Sequence, residues 1–154
     1  MSMERAIYRG VKTLIEANAT LAGKFGAAGA TRRIFRDNAA VLSALPARPF
    51  LRIGFDEDRQ ARAMGGSSQV NGVLNVHLFA DRDQFGPDSG DEFLSFDDVI
   101  PLLVQVLDTK TPVDPAGVFS FRHLQRLAPA EGPSPDPAIV HRIERFRVSA
   151  GRTY

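Results

Sequence analysis

Val70-Asn71-Gly72-Val73-Leu74-Asn75-Val76-His77-Leu78-Phe79-Ala80 has the clearest period-two pattern in the chain. Val70, Leu74, Val76, Leu78 and Ala80 fall on one side, and Asn71, Asn75 and His77 on the other. Successive side chains of a strand point to opposite faces, so this spacing predicts an antiparallel strand with one buried and one wetter face. Upstream, Phe50-Leu51-Arg52-Ile53-Gly54-Phe55 alternates in the same way, with Leu51, Ile53 and Phe55 inward. The prolines of Leu45-Pro46-Ala47-Arg48-Pro49 forbid regular ladder bonding and deliver the chain extended into that strand. Between the two strands lies a loop over 56–69 with three acids, two arginines and two adjacent glycines. It is far longer than a hairpin turn, and such loops in compact domains are usually functional or disordered. Two readings stand for it. One is a plain mobile loop. The other is an arm that orders against a neighbouring subunit or partner by charge pairing, with Asp56, Glu57, Asp58, Arg59, Arg62, Met64 and Gln69 as its contact residues.

Working outward, residues 3–18 read as a helix. Met3, Ile7, Val11, Leu14 and Ile15 recur at helical spacing beside the small Ala6 and Gly10, and Gly23 and Gly26 end it. A glycine-alanine connector follows, and Arg33-Ile34-Phe35-Arg36 reads as a short strand. A second helix is expected from Ser95 to Leu107, with Phe96, Val99, Ile100, Leu103, Val106 and Leu107 on one face. Pro101 suits only the first turn of a helix, which favours Asp97 or Asp98 as the N-cap. Val118 to Leu127 reads as a strand, residues 128–137 with their four prolines as a semi-rigid loop, and Ile139 to Ser149 as a last strand. This order predicts an α+β fold: a mainly antiparallel four- to five-stranded sheet with two helices packed on one face. Residues 1–150 form its single domain, and 151–154 a loose tail.

The chain has 154 residues, enough for one domain that buries roughly two-thirds of its unfolded surface. A net charge of +1 creates no global field for nucleic acid or an anionic membrane, which argues against a dedicated DNA binder. Of nineteen basic residues only Lys12, Lys24 and Lys110 are lysines, which leaves sixteen arginines. Arginine suits interface ion pairs and planar stacking, although a GC-rich genome gives the same bias. There is no cysteine, which excludes disulfides, thiolate catalysis and cysteine metal sites. No apolar run approaches a membrane span and Met1-Ser2-Met3-Glu4-Arg5 lacks the marks of a secretory signal, so a cytosolic product is expected.

Few residues of the chain point to chemistry. His77, His123 and His141 all fall on predicted strands, where they could converge as a metal triad, but no HxH or HExxH spacing supports them. Asp81 to Glu92 nearly matches a twelve-residue calcium loop, yet Phe85 takes a ligand position and a strand leads in, so a solvated acidic loop is expected instead. Gly23-Lys24-Phe25-Gly26 lacks the GK[ST] ending of a phosphate loop, and the serines give no GxSxG elbow. No catalytic residue, cofactor or metal is expected. The competing classes are a small metal-dependent enzyme using the histidines and the 81–92 loop, and a small-molecule binding domain for which no residue speaks.

The order of elements, with Pro49-Phe50-Leu51-Arg52-Ile53-Gly54-Phe55, the arginine-glycine loop and Val73-Leu74-Asn75-Val76-His77-Leu78-Phe79, resembles the tail-terminator and tail-completion proteins of long-tailed phages, the lambda gpU-like group. The resemblance continues through the helix near Val99–Leu107 and Phe121-Arg122-His123-Leu124, and ends in Ile143-Glu144-Arg145-Phe146-Arg147-Val148, similar to the family's closing strand. It departs in carrying Phe79 where family members often have Trp, and in a longer 81–93 loop. The resemblance implies a non-enzymatic virion or prophage protein. It would form a homo-oligomeric ring, typically a hexamer, that caps the tail tube, ends its polymerisation and joins the tail to the head connector. Implied partners are further copies of itself, the tail tube protein and the connector or stopper protein. DNA would pass through the ring without sequence-specific contact. The place implied is the head-proximal end of the virion tail, after assembly in the bacterial cytoplasm. A head–tail stopper with the same ring logic is the neighbouring alternative.

Overall fold

The strand expected from Val70 to Ala80 is longer than its alternating segment, and most of the chain is arranged around it. The computed structural model describes residues 3–29, 32–37, 46–58, 69–81, 96–111, 119–121, 123–133 and 136–152. In chain order these give α1 (Met3–Ala17), α2 (Ala19–Gly23), β1 (Ile34–Arg36), β2 (Phe50–Glu57), β3 (Gln69–Asp81), α3 (Phe96–Leu107), β4 (Phe119–Phe121), β5 (Gln125–Glu131) and β6 (Ile139–Arg152). β2 pairs antiparallel with β3 from Phe50 opposite Phe79 to Glu57 opposite Gly72. β6 pairs antiparallel with the other side of β3 along its whole length, from Asp81 opposite Ile139 to Gln69 opposite Gly151. β1 runs parallel to β2, and β4 and β5 both lie antiparallel on the outer side of β6. The sheet order is β1-β2-β3-β6-β4 with β5 also on β6, so the fold is α+β with a mixed, mostly antiparallel sheet.

Period two decides which face is core. Leu51 and Ile53, then Leu74, Val76 and Leu78, then Phe146 and Val148 are each at most 2% exposed and share one cluster with the helices. From α1 that cluster takes Ala6, Ile7, Val11 and Ile15, as the helical spacing requires. The helix is not continuous to Gly23, however. Asn18 interrupts it with an extended backbone, and its side chain accepts a hydrogen bond from the Leu21 N–H at 3.0 Å. An asparagine cap satisfies one of the orphan donors of a new helix start. The break turns α2 so that Leu21 and Phe25 also enter the core, both 0% exposed.

Four boundaries differ from the sequence reading. α3 begins at Phe96, so neither Asp97 nor Asp98 is its N-cap, and Pro101 sits inside the helix. A helix-interior proline costs about 3 kcal/mol through its missing N–H and its ring. Val99, Leu103, Val106 and Leu107 are all buried from the same helix, and full burial of such side chains gains about 1.5–3 kcal/mol each, so packing outweighs the proline. The strand expected over Val118 to Leu127 is two strands. Between them the Leu124 carbonyl accepts from the Thr109 N–H at 2.8 Å and its N–H donates to the Lys110 carbonyl at 3.2 Å, so that residue pairs with the turn after α3 instead of β6. Leu124 is 1% exposed, and the excursion places it in the core. Finally, β5 carries on through Pro129 to Glu131, into the stretch expected to be loop. The register shift between Leu127 and Ala130 accommodates the proline, which edge strands and bulges tolerate. Gly151 and Arg152, expected in a loose tail, belong to β6.

Candidate functional site

The face of the sheet turned away from the helices is polar at one end and aromatic at the other. The same alternation that buries Leu51, Leu78 and Val76 turns Phe50, Arg52, His77 and Phe79 outward, and register aligns them in rows. Phe50, Phe79 and His141 stand directly opposite one another on β2, β3 and β6. Their rings stack, with centroids 4.7 Å apart for Phe50–Phe79 and 4.0 Å for Phe79–His141. Phe35 meets Phe50 edge-on at 6.0 Å. With Ile139 these phenylalanines form a second, small apolar cluster. It is not open to solvent: Phe50, Phe79, Ile139 and His141 are all 6% exposed or less.

The next row is Arg52, His77 and Ile143, and beyond it Gly54, Asn75 and Arg145. Here a groove of about 580 Å³ opens, lined among others by Glu4 of α1, Asp37, Asp56, Asn75, His77 and Arg145. Its charges are tied to neighbours. Arg52 Nε lies 3.1 Å from Asp37 Oδ1, and its guanidinium carbon stands 5.2 Å from the centre of the Phe79 ring. Asn75 Nδ2 donates to Asp56 Oδ2 at 2.7 Å, and Arg145 Nε to the Ala128 carbonyl at 2.8 Å. Arg52, Asp56 and Arg145 are thus each held by a neighbouring group.

The loop residues singled out by sequence divide. Asp56 and Glu57 belong to the end of β2 and Gln69 to the start of β3, while Asp58 follows β2 and donates its N–H to the Asn71 carbonyl at 2.7 Å. Strand pairing therefore takes up both ends of the expected loop. Arg59, Arg62 and Met64 lie outside the described residues, as does the acidic stretch from Arg82 to Glu92.

Two of the three histidines meet. His77 Nδ1 and His141 Nε2 are 2.8 Å apart, whereas His123 is exposed and belongs to no strand. Among the described residues no group of three or more His, Asp or Glu side chains could hold a metal ion. His77 is pushed down to about 4, first by burial, then by the Arg52 charge and by His141, against a smaller opposing effect of Asp37. His141 is lowered too, chiefly by burial, although its bond to Pro133 works the other way. An imidazole held neutral on folding takes up fewer protons than its unfolded counterpart. Its contribution is therefore fully present above the unfolded value of about 6.5 and is lost as pH falls from there towards about 4. Allowing for partial solvent screening, we expect urea unfolding at pH 4.5 to show about 1–2 kcal/mol less stability than at pH 7 from this source. His77→Asn should lack that part of the loss, and identical pH profiles for the two proteins would refute it.

The sequence reading missed Asp37 and Arg145 as groove residues, and Arg52 as the partner of Asp37. The alternation of β2 was enough to put Arg52 on the wetter face, but its partners depend on register.

Neither a protein-family model nor a curated protein matches this sequence. Among solved structures, the fold is similar to that of a chain in the virion of a native gene transfer agent particle. The TM-score is 0.60 at 14% identity, covering 93% of this chain and 92% of that one. At this identity the likeness is one of fold. A second solved chain reaches a TM-score of only 0.45 at 15% identity, covering 93% of this chain and 96% of that one. No helix among the described residues is long and apolar enough to cross a membrane.

Proposed function

We propose that this chain is a non-enzymatic structural protein of a phage or phage-derived particle, and that it acts as a tail terminator. A homo-oligomeric ring of about six copies caps the finished tail tube, ends its polymerisation and presents a surface to the head connector. The observation that carries this reading is the near whole-length likeness of fold to a chain of a gene transfer agent virion. The resemblance of the strand and loop segments to tail terminators supports the finer assignment. A ring needs two different surfaces on each copy that fit head to tail and close. The two sides of this sheet differ as that requires: β1 with the acidic end of β2 on one, β5 with its irregular edge on the other.

The contact residues we assign are Asp56, Glu57, Asp58, Arg59, Arg62, Met64 and Gln69. Replacing Arg59 and Arg62 together by Ala should then leave folding stability within about 0.5 kcal/mol, the usual range for surface changes. Assembly should fall at least tenfold, read as the ring fraction in light scattering after size-exclusion chromatography. A double variant that unfolds, or one that assembles normally, would remove the loop from the interface.

The role itself is tested by electron microscopy of particles made without this protein. Over-long tails are the expected result. Tails of normal length on heads that leak DNA would reassign the chain to the stopper position, and normal particles would end the structural reading.

A further inference from the structure

β1 ends at Arg36, opposite Ile53, so beyond that point β2 has a described strand neighbour only in β3. This end of β2 carries Asp56 and Glu57, with Asp58 directly after it. Asp56 is exposed on the face away from the helices, opposite Val73. It accepts a hydrogen bond from the neutral Asn75 side chain, and among the described residues no cation pairs with it.

The other side of the same face carries the opposite sign. Across β3 the row continues from Val73 to Arg147 on β6 and Gln125 on β5. Arg147 is exposed, and among the described residues its guanidinium has neither an ion pair nor a hydrogen bond. One row on, Arg145 lies opposite Leu127 and donates only to the Ala128 carbonyl, again a neutral partner. Leu127 and Ile143 are half-buried beside it on this face. Neighbouring strands lie about 4.8 Å apart, so the backbones of Asp56 and Arg147 stand about 10 Å apart with Val73 between them. No ion pair joins the two within one chain. Two unbalanced groups of opposite sign on one face are therefore complementary between copies and not within one.

We propose that the acidic end of β2 in one copy docks on the β5–β6 part of this face in the next copy, with Asp56 of the first paired to Arg147 of the second. The inference rests on the ring reading above and supplies the two unlike surfaces that a head-to-tail contact needs. Leu127 and Ile143 of the receiving copy give the contact an apolar middle, and Arg145 and Arg147 give it a cationic border, a residue type enriched at interfaces. Complementary charge fixes register and excludes wrong orientations. A lone exposed ion pair contributes little in water, so removing one charge is a weak probe. Reversing it sets like charges against each other at every contact of the ring, which is a strong one.

The test is charge reversal with complementation, read as the ring fraction in light scattering after size-exclusion chromatography. Asp56→Arg and Arg147→Asp should each melt with the parent, because both positions are exposed. Each alone should lose at least tenfold in ring fraction. An equimolar mixture should recover rings of parental size, with the two variants at equal amounts in native mass spectra, because alternating copies again set a cation against an anion at every contact. Reversed variants that form rings as the parent does, or a mixture that assembles no better than its components, overturn the contact and leave the ring reading standing. A parent that stays monomeric removes the ring and the contact together. A mixture that stops at dimers also overturns the proposal, because the contact is then two-fold and not head to tail. Should a reversed variant unfold, Asp56→Asn or Arg147→Gln takes its place with about a threefold loss of rings expected from one missing surface pair, and parental assembly of that variant overturns the pairing.

Discussion

Leu74→Asp is expected to leave no folded protein at neutral pH. Leu74 is 0% exposed, in the middle of β3, with Phe55 opposite on one side and Phe146 on the other. Its side chain points into the cluster shared with the helices, where the groups around it are apolar. A carboxylate there has no cation and no donor, and burying it uncompensated costs several kcal/mol. The lost leucine packing adds about 2–5 kcal/mol, the range for Leu→Ala in cores. Together these consume most of the 5–15 kcal/mol that holds a typical domain folded. One position earlier the same change should be tolerated. Val73 lies on the opposite face, half-buried, with Arg147 directly across on β6, so Val73→Asp should move stability by no more than about 1 kcal/mol. Circular dichroism and thermal melting of the two variants check the pair. If both fold with similar midpoints, the assignment of faces on β3 is wrong, because a one-residue slip exchanges every side chain between core and solvent.

That faces could be read before the structure, while partners could not, follows from what alternation encodes. Period two in Val70–Ala80 and Phe50–Phe55 fixes which side chains share a face, and β2 and β3 obey it. Helical spacing in α1 marks Ile7, Val11 and Ile15 as buried. Local signals fail where a tertiary contact outweighs them. Asn18 reads as one more helical residue until it caps α2. Leu124 reads as mid-strand, but its burial and its bonds to Thr109 and Lys110 divide the strand in two. Pro101 reads as a first-turn residue, yet the apolar face of α3 carries it into the helix interior. The candidate site depends on register, which needs the whole sheet. His77 and His141 are 64 residues apart and meet only because β3 and β6 pair with Phe79 opposite His141. Nothing near either histidine in sequence names the other as its partner.

Glu144 is another residue that pattern alone misplaces, and it carries the second large effect. It is 2% exposed on the core side of β6, opposite Val76, where an apolar residue would be expected. Arg126 on β5 meets it, Nε to Oε2 at 3.2 Å, and is held in place by its own N–H donating to Asp108 Oδ1 at 3.1 Å. Among the described residues the second carboxylate oxygen, Oε1, is buried with no hydrogen-bond partner. Removing the cation therefore leaves a buried charge without the ion pair that the described residues give it. Breaking a fully buried pair costs about 3–5 kcal/mol, and because Arg126 is 39% exposed we expect about 2–4 for Arg126→Ala. Glu144→Met should behave differently. It removes the half-satisfied carboxylate and fills the space with an adaptable apolar chain, a replacement that is often neutral or stabilising at buried ion pairs. The double variant Arg126→Ala/Glu144→Met should accordingly be more stable than Arg126→Ala alone, although it has lost both partners. Urea unfolding of the four proteins closes the cycle. If Arg126→Ala lies within about 0.5 kcal/mol of the parent, or the double variant is no better than the single, then Glu144 does not depend on Arg126 for its place in the core.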